Sequence, residues 1–127
     1  MKTLIICKSI HHGNTQKIAE VIAKVLEAKL VKPEELDINT VTEYDLVGFG
    51  SGIYYGKHHK DLLSVVDNLF SVKNKKAFIF STSGTGEKNI SRNHRLIREK
   101  LMAKGFTIAG EFSCRGWDSF GLLKLDR

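Results

Sequence analysis

The sequence predicts an α/β fold, in which a five-stranded parallel sheet of strand order 2-1-3-4-5 is doubly wound by helices on both faces. Short apolar runs alternate along the chain with segments whose apolar residues recur every three or four positions, the pattern of strands and amphipathic helices. The central apolar runs also lack the alternation of half-exposed strands, as expected for buried parallel strands. Right-handed crossovers leave few strand orders, and 2-1-3-4-5 suits five strands.

The first unit is a strand, a tight loop and a helix. Residues 4–7 form the apolar run of the strand, and a helix is predicted from Asn14 to Lys29 because its apolar residues form one stripe. Pro33 ends the pattern, and 35–38 is predicted as a short edge strand. The stripe consists of Ile18, Val21, Ile22, Val25, Leu26 and Leu30.

The middle of the chain repeats this alternation. The continuous apolar run at 46–51 predicts a central strand, and 52–56 predicts a loop at its carboxyl end. Helical spacing returns at 60–70.

The last unit begins with a buried strand at 77–80, followed by a hydroxyl-rich loop at 81–86. A helix is predicted from a cap at Ser91 to Lys104, and the final strand covers 107–114. The residues of this helix predicted to face inward are Leu96, Ile97, Leu101 and Met102.

Composition restricts the class of protein. The 127 residues suit one domain with a single core, and 42% apolar and 27% charged residues are typical of a soluble globular chain. No apolar run approaches the roughly 18 residues of a membrane span, and the N-terminus lacks a signal-peptide pattern, so we expect a cytoplasmic protein. Cys7 and Cys114 have neither metal nor disulfide spacing and are expected to be buried thiols.

The net charge of +6 is spread along the chain, with denser groups of Lys and Arg at 73–76 and 92–104. A solvated helix face explains the second group at least as well as nucleic-acid binding does. We therefore expect no nucleic-acid function, and attraction to an acidic protein partner is the more economical interpretation.

Three loops are predicted to meet at the carboxyl edge of the sheet, where ligands bind in such folds. In 9–15, side-chain donors, a glycine and the following helix start favour a phosphate site, although an ordinary capped turn also fits. In 50–56, two tyrosines between glycines offer aromatic faces. In 81–86, hydroxyls and backbone N–H groups can bind the edge of a ring. Together the loops predict a mononucleotide site.

These loops resemble those of the flavodoxins, the small FMN-binding electron carriers, and the resemblance extends over nearly the whole chain. Residues 9–15 are similar to the phosphate loop, 49–56 to the second flavin loop and 81–86 to the third, while the tail from Phe112 resembles a flavodoxin-like subfamily. The resemblance implies FMN as the cofactor. The implied FMN-binding residues are Ser9, His11, His12, Gly13, Asn14, Thr15, Ile53, Tyr54, Tyr55, Gly56, Ser81, Thr82, Ser83, Gly84 and Gly86.

The sequence departs from the flavodoxin pattern in three places. His11 and His12 replace the usual hydroxyls, and the third loop lacks an aromatic, so Tyr55 or Trp117 would have to cover the ring, although Trp117 equally suits packing in the core. Flavodoxins of this pattern continue into a final helix beside the first, and the resemblance leads us to expect that this helix is absent here. We therefore expect an exposed apolar patch on one sheet face, available to a partner or to a second copy in a homo-oligomer.

The implied function is non-covalent FMN binding and electron transfer to a redox protein partner, and no catalytic residue or metal site is predicted. Positive charge at Lys57, His58 and His59 would make the reduction potential less negative than that of acidic flavodoxins. The same loop also resembles that of menaquinone-dependent protoporphyrinogen oxidase, so an FMN-dependent oxidoreductase acting on a quinone or porphyrinogen is an alternative. A flavin-free interaction module is a third possibility.

Overall fold

The strand at Leu46–Tyr54 forms the centre of the sheet in the computed structural model, which describes residues 1–10 and 13–115. Elements are numbered in chain order. The strands are β1 (Thr3–Lys8), β2 (Lys29–Val31), β3 (Leu46–Tyr54), β4 (Lys57–His58), β5 (Lys75–Thr82) and β6 (Phe106–Cys114), and the helices are α1 (Asn14–Leu26), α2 (Lys60–Asn68), α3 (Ile90–Asn93) and α4 (Arg95–Ala103).

The parallel strands lie in the order β2-β1-β3-β5-β6, which is the predicted 2-1-3-4-5 order when the five parallel strands are counted alone. β3 pairs with β1 on one side and with β5 on the other. The one additional strand among the described residues, β4, was not predicted. It pairs antiparallel with the end of β3, so the predicted loop at 52–56 is instead a strand end and a hairpin turn.

The predicted strand at 35–38 is wrong. The α1 helix ends at Leu26, where Glu27 takes a left-handed φ of 53°, and β2 begins at once and pairs with β1. The Asp37 side chain accepts a hydrogen bond from the N–H of Asn39, which starts a 3₁₀ turn where the strand was expected. This local bond between neighbouring residues competes with strand pairing.

The predicted helix at 91–104 is interrupted at His94, and its first part begins at Ile90, before the predicted cap at Ser91. His94 is fully buried and takes an interior position together with Ile97 and Leu101, as predicted for the last two. This sets the rotation of α4 about its axis. As a result Leu96 and Met102, predicted to face inward, are 37% and 59% exposed.

Buried apolar residues lie on both faces of the sheet. The larger cluster combines α2 and α4 with side chains such as Phe49 and Ile79, and the smaller one packs Ile18 and Ala19 of α1 against β1 and β5. Val25 and Leu26 were predicted to belong to the α1 stripe, but they are 59% and 40% exposed.

On the α1 face, phenylalanine rings of β5 lie over glycines of β3. The Phe78 and Phe80 rings occupy the positions where a Cβ on Gly48 or Gly50 would be. Each glycine is the cross-strand partner of the phenylalanine that covers it. The predicted exposed patch on this face stays a prediction, since the tail from residue 116 lies outside the described residues.

None of the helices in the described ranges has the length and apolar character of a membrane span. Cys7 and Cys114 are both buried, as predicted. Burial raises the pKa of the Cys7 thiol to about 12, with a smaller contribution from the charge of Glu20.

Candidate functional site

The three predicted loops meet at the carboxyl edge of the sheet, around a cavity of about 240 Å³. Parallel strands place their carboxyl ends at one edge, so loops distant in sequence become neighbours there. Of the predicted site residues, seven line the cavity: Asn14, Thr15, Ile53, Tyr54, Thr82, Ser83 and Gly84.

In the first loop, Gly13 precedes α1 in the left-handed conformation, with φ of 70° and open space where a Cβ would lie. An L-residue adopts this conformation at a cost, so glycine suits a turn that aims the backbone N–H groups of a helix start toward a ligand. Ser9 Oγ accepts a hydrogen bond of 3.2 Å from the N–H of Gln16, and therefore caps the helix. His11 and His12 lie outside the described residues.

Thr15 joins the first loop to the third. It is 4% exposed, and its Oγ1 lies 2.8 Å from Oγ1 of Thr82, so the two hydroxyls are hydrogen-bonded across the cavity floor. Lys8, the last residue of β1, is already paired with carboxylates. Its Nζ lies 3.1 Å from Asp61 and 3.7 Å from Glu34. An anion at the cavity would therefore be held by the helix start, by neutral donors and by Arg115, which also lines the cavity.

In the second loop, the structure separates the two tyrosines. Tyr54 lines the cavity and folds back over Gly52, and its ring contacts His59 edge-on with centroids 5.3 Å apart. Burial raises the pKa of Tyr54. Tyr55 is fully exposed. With Gly56 it forms the hairpin turn, at φ values of 53° and 77°, so it lies at the tip and not against the cavity wall.

The third loop is tied to the last strand and to itself. The N–H of Ser83 donates to the carbonyl of Cys114 at 2.9 Å, and the N–H of Gly86 donates back to the carbonyl of Ser83. Gly86 is buried at φ of 57° and faces the Arg115 side chain. Thr82, Ser83 and Gly84 are thereby held at the cavity.

Ser81 lies under this loop and not in the cavity lining. Its hydroxyl is buried within 2.7 Å of His94 Nε2 and 2.8 Å of Ser113 Oγ. His94 Nδ1 in turn lies 2.9 Å from Glu111, which Arg98 also contacts through two hydrogen bonds. This buried polar network holds the base of the third loop against α4 and β6.

Burial and hydrogen bonding together set the charge states in this network. It lowers the pKa of His94, against the opposing effect of Glu111. Burial alone would raise the pKa of Glu111, but the hydrogen bonds from Arg98 and His94 outweigh it and hold the pKa below its usual value. An ionised Glu111 and a neutral His94 are therefore favoured near neutral pH.

His58 does not contribute the positive charge that the sequence suggested. It is 1% exposed, and burial lowers its pKa to about 3 although its Nε2–H donates to the carbonyl of Phe80. His59 instead caps α2 by accepting a hydrogen bond from the N–H of Asp61. Lys57 remains the exposed cation of the three.

Sequence reasoning missed three residues that line the cavity, namely Ile10, Gly52 and Arg115. Arg115 directly follows β6, whose carboxyl end lies at the same edge as the other loops. That position was the available signal, because any residue just after a parallel strand is a candidate for the edge.

The fold and the three loops define a doubly wound α/β protein with a cavity at the switch point of its sheet. The model of the flavodoxin domain matches residues 4–116, and an uncharacterised protein of Methanocaldococcus jannaschii is 50% identical over 125 residues, which are 98% of this chain and 82% of that protein. The chain therefore belongs to the flavodoxin domain family.

Solved flavodoxins share this fold. The flavodoxin of Streptococcus pneumoniae superposes with a TM-score of 0.74 at 15% identity, over 90% of this chain and 83% of that one. The flavodoxin of Fusobacterium nucleatum, solved with bound flavin mononucleotide, superposes with a TM-score of 0.68 at 14% identity, over 86% of this chain and 70% of that one.

Proposed function

We propose that the protein binds FMN without a covalent link at the carboxyl edge of the sheet and acts as an electron carrier. The observation that carries this proposal is one cavity that joins the start of α1 to an aromatic wall at Tyr54 and to the third loop. Membership of the flavodoxin domain family supports it.

The residues present fit an anionic tail joined to a flat ring. The open space at Gly13 and the first turn of α1 suit the phosphate, with Asn14 and Thr15 as side-chain donors. Tyr54 suits the face of the ring, and the backbone of 82–84 suits its hydrogen-bonding edge. Tyr55, at the exposed hairpin tip, is a second aromatic at the rim.

Bound FMN would supply the one- and two-electron chemistry. The protein's own part is to orient the cofactor, to exclude water from one face of the ring with Tyr54, and to place charge near it. Lys57 and Arg115 are cations near this edge, so we propose a reduction potential less negative than that of acidic flavodoxins. A redox titration of the FMN-loaded protein tests this.

A titration that compares FMN with riboflavin tests the site. Riboflavin has the same ring without the phosphate, so we expect FMN to bind at least tenfold more tightly, as measured by quenching of flavin fluorescence. Replacing Thr15 by Val removes one donor to a charged group, a loss of about 1.5–3 kcal/mol. We therefore expect Thr15→Val to weaken FMN binding about ten- to hundredfold and riboflavin binding much less.

Thr107→Val is the matched control, because Thr107 is an exposed β6 residue remote in sequence from all three loops. It should leave both affinities unchanged. Equal affinity for FMN and riboflavin would contradict the phosphate assignment, and no binding of either would overturn the proposed function. Turnover of a quinone or porphyrinogen by the FMN-loaded protein, without a protein partner, would favour the oxidoreductase alternative.

A further inference from the structure

A second concave surface lies beside the third loop, and its charged lining residues are all cations. This groove, which we call the basic groove, encloses about 450 Å³. Its lining consists of Lys88, Asn89, Ser91, Arg92 and Arg95. Neither the flavin assignment nor the buried polar network uses any of these side chains.

The cations of the basic groove differ from those on the rest of the same segment. Further along α4, Arg98 is paired with Glu111, Lys100 is paired with Asp67, and Lys104 donates to the backbone carbonyls of Asp67 and Leu69. Lys88, Arg92 and Arg95 form no ion pair or side-chain hydrogen bond within the part of the chain that the structure describes. Their charge is therefore available to an external partner.

The nearest carboxylates in sequence do not neutralise the groove. Glu87 precedes Lys88, and Glu99 lies one helical turn beyond Arg95, but neither lines the groove. Three unpaired cations in one concave surface produce a locally positive field, consistent with the net charge of +6.

The groove lies close to the candidate flavin cavity. Gly84 lines the cavity, and the 3₁₀ turn Gly86–Asn89 leads directly from that loop to Lys88. Arg115 lines the cavity and packs over Gly86, where a Cβ would lie 3.5 Å from its Cγ. Cations therefore extend from the cavity rim into the basic groove.

From these observations we infer that the basic groove is the docking surface for an acidic protein partner. Its three cations line one concave surface, so they present a patch of charge suited to several carboxylates of one partner. Leu96, the residue after Arg95, is 37% exposed and is available for an apolar contact at the edge of such a complex. Surface ion pairs are individually weak, so such a complex dissociates readily, as a partner that must leave after each encounter requires.

The acidic character of this partner follows from the groove alone. Its redox character rests on the proposed function, since docking here would bring it beside the flavin edge. The binding test below uses no flavin, so a failure of FMN binding and a failure of the docking surface are distinguishable.

The test is an NMR titration of the ¹⁵N-labelled full chain with a ten-residue peptide that alternates Glu and Gly. We expect the shifted amides to cluster at 86–96 and the affinity to fall as salt rises from 20 to 200 mM, because the Debye length shortens to below 10 Å over this range. The triple variant Lys88→Gln, Arg92→Gln, Arg95→Gln should bind the peptide about tenfold more weakly.

The matched control is Lys24→Gln, Lys29→Gln, Lys73→Gln, which removes the same charge from exposed lysines away from the groove. It should change the affinity less than twofold. Equal losses of peptide affinity in both triple variants, or shifted amides scattered over the surface, would show that binding depends only on the net charge. Either result would overturn the inference. Inorganic diphosphate that displaces the peptide at equal concentration would indicate a small-anion site instead, and would also overturn it.

Discussion

The side chains that β5 and β6 direct to the two faces of the sheet differ in chemical character. Toward α1, aromatic rings stack with centroids 6.0 and 5.7 Å apart and interplanar angles of 25° and 13°. Toward α4, the side chains near the carboxyl ends of the same strands form the buried polar network with His94. The aromatic face consists of Phe78, Phe80 and Phe112, and the polar face of Ser81, Glu111 and Ser113.

This difference separates two sources of stability within one pair of strands. The aromatic face depends on shape and apolar area, which do not change with pH. The polar face depends on directional hydrogen bonds among ionisable groups, which change as protons bind. Variants on each face should therefore differ in the size of their effect and in its pH dependence.

The largest effect is expected from Gly50→Ala, which should destabilise the protein by about 3 kcal/mol through overpacking against Phe80. Phe80 is fully buried and cannot move aside. Gly48→Ala meets the half-buried Phe78, which can turn outward, so we expect about 1 kcal/mol. Urea unfolding measures both free energies.

A second substitution identifies the clash as the cause. Phe80→Leu in the Gly50→Ala background should recover at least about 1 kcal/mol, because the smaller side chain vacates the space of the new Cβ. The stability loss of Gly50→Ala should also be the same at pH 7 and pH 5. A loss that changed with pH would contradict the assignment of this face to shape alone.

The polar face and His58, whose ring centroid lies 4.8 Å from that of His94, should together make the protein less stable in acid. His58 has an unfolded pKa of 6.5 and a folded pKa of about 3, so below pH 6.5 the unfolded chain binds a proton that the folded chain excludes. The contribution of His58 to the free energy of unfolding is fully present above pH 6.5. It is lost as the pH falls, and at pH 4 the loss from His58 is about 3 kcal/mol. The lowered pKa values of His94 and Glu111 act in the same direction.

Unfolding free energies at pH 7, 6, 5 and 4 measure this slope. In His58→Gln the amide can still donate to the carbonyl of Phe80, but it does not titrate, so the slope between pH 6.5 and 4 should shrink by more than half. Gly50→Ala serves as the comparison, because it should lower the whole curve without changing its slope. Parallel curves for His58→Gln and the natural protein would show that buried His58 is not the source.

Effects smaller than that of Gly50→Ala are expected from the serines of the polar face. Ser81→Ala removes the partner of the buried His94 Nε2, and leaving that atom unpaired should cost about 2 kcal/mol. Ser113→Ala removes a bond to Ser81 while the contact between Ser81 and His94 persists, so we expect about 1 kcal/mol. If the two losses were equal, His94 would not be the centre of the network.

Much of the fold was predictable because it depends on local pattern. Apolar runs without alternation at 46–51 and 77–80 predicted buried parallel strands, and the structure has β3 and β5 there. The helix at 60–70 is present as α2. Failures occurred where a short-range hydrogen bond or a buried polar residue overrode the pattern, as at Asp37 and His94.

The sequence by itself determined the alternation of parallel strands and helices, although not the position of β2 or the presence of β4, and with it the edge at which three polar loops converge. That inference needs only the direction of parallel strands. The tertiary structure decided which side chains face the cavity, namely Tyr54 rather than Tyr55, and Arg115 from the far end of the described chain. It also decided that His58 is buried and uncharged near neutral pH. These outcomes depend on pairing register and on residues distant in sequence, because side-chain direction is set by which strands are neighbours.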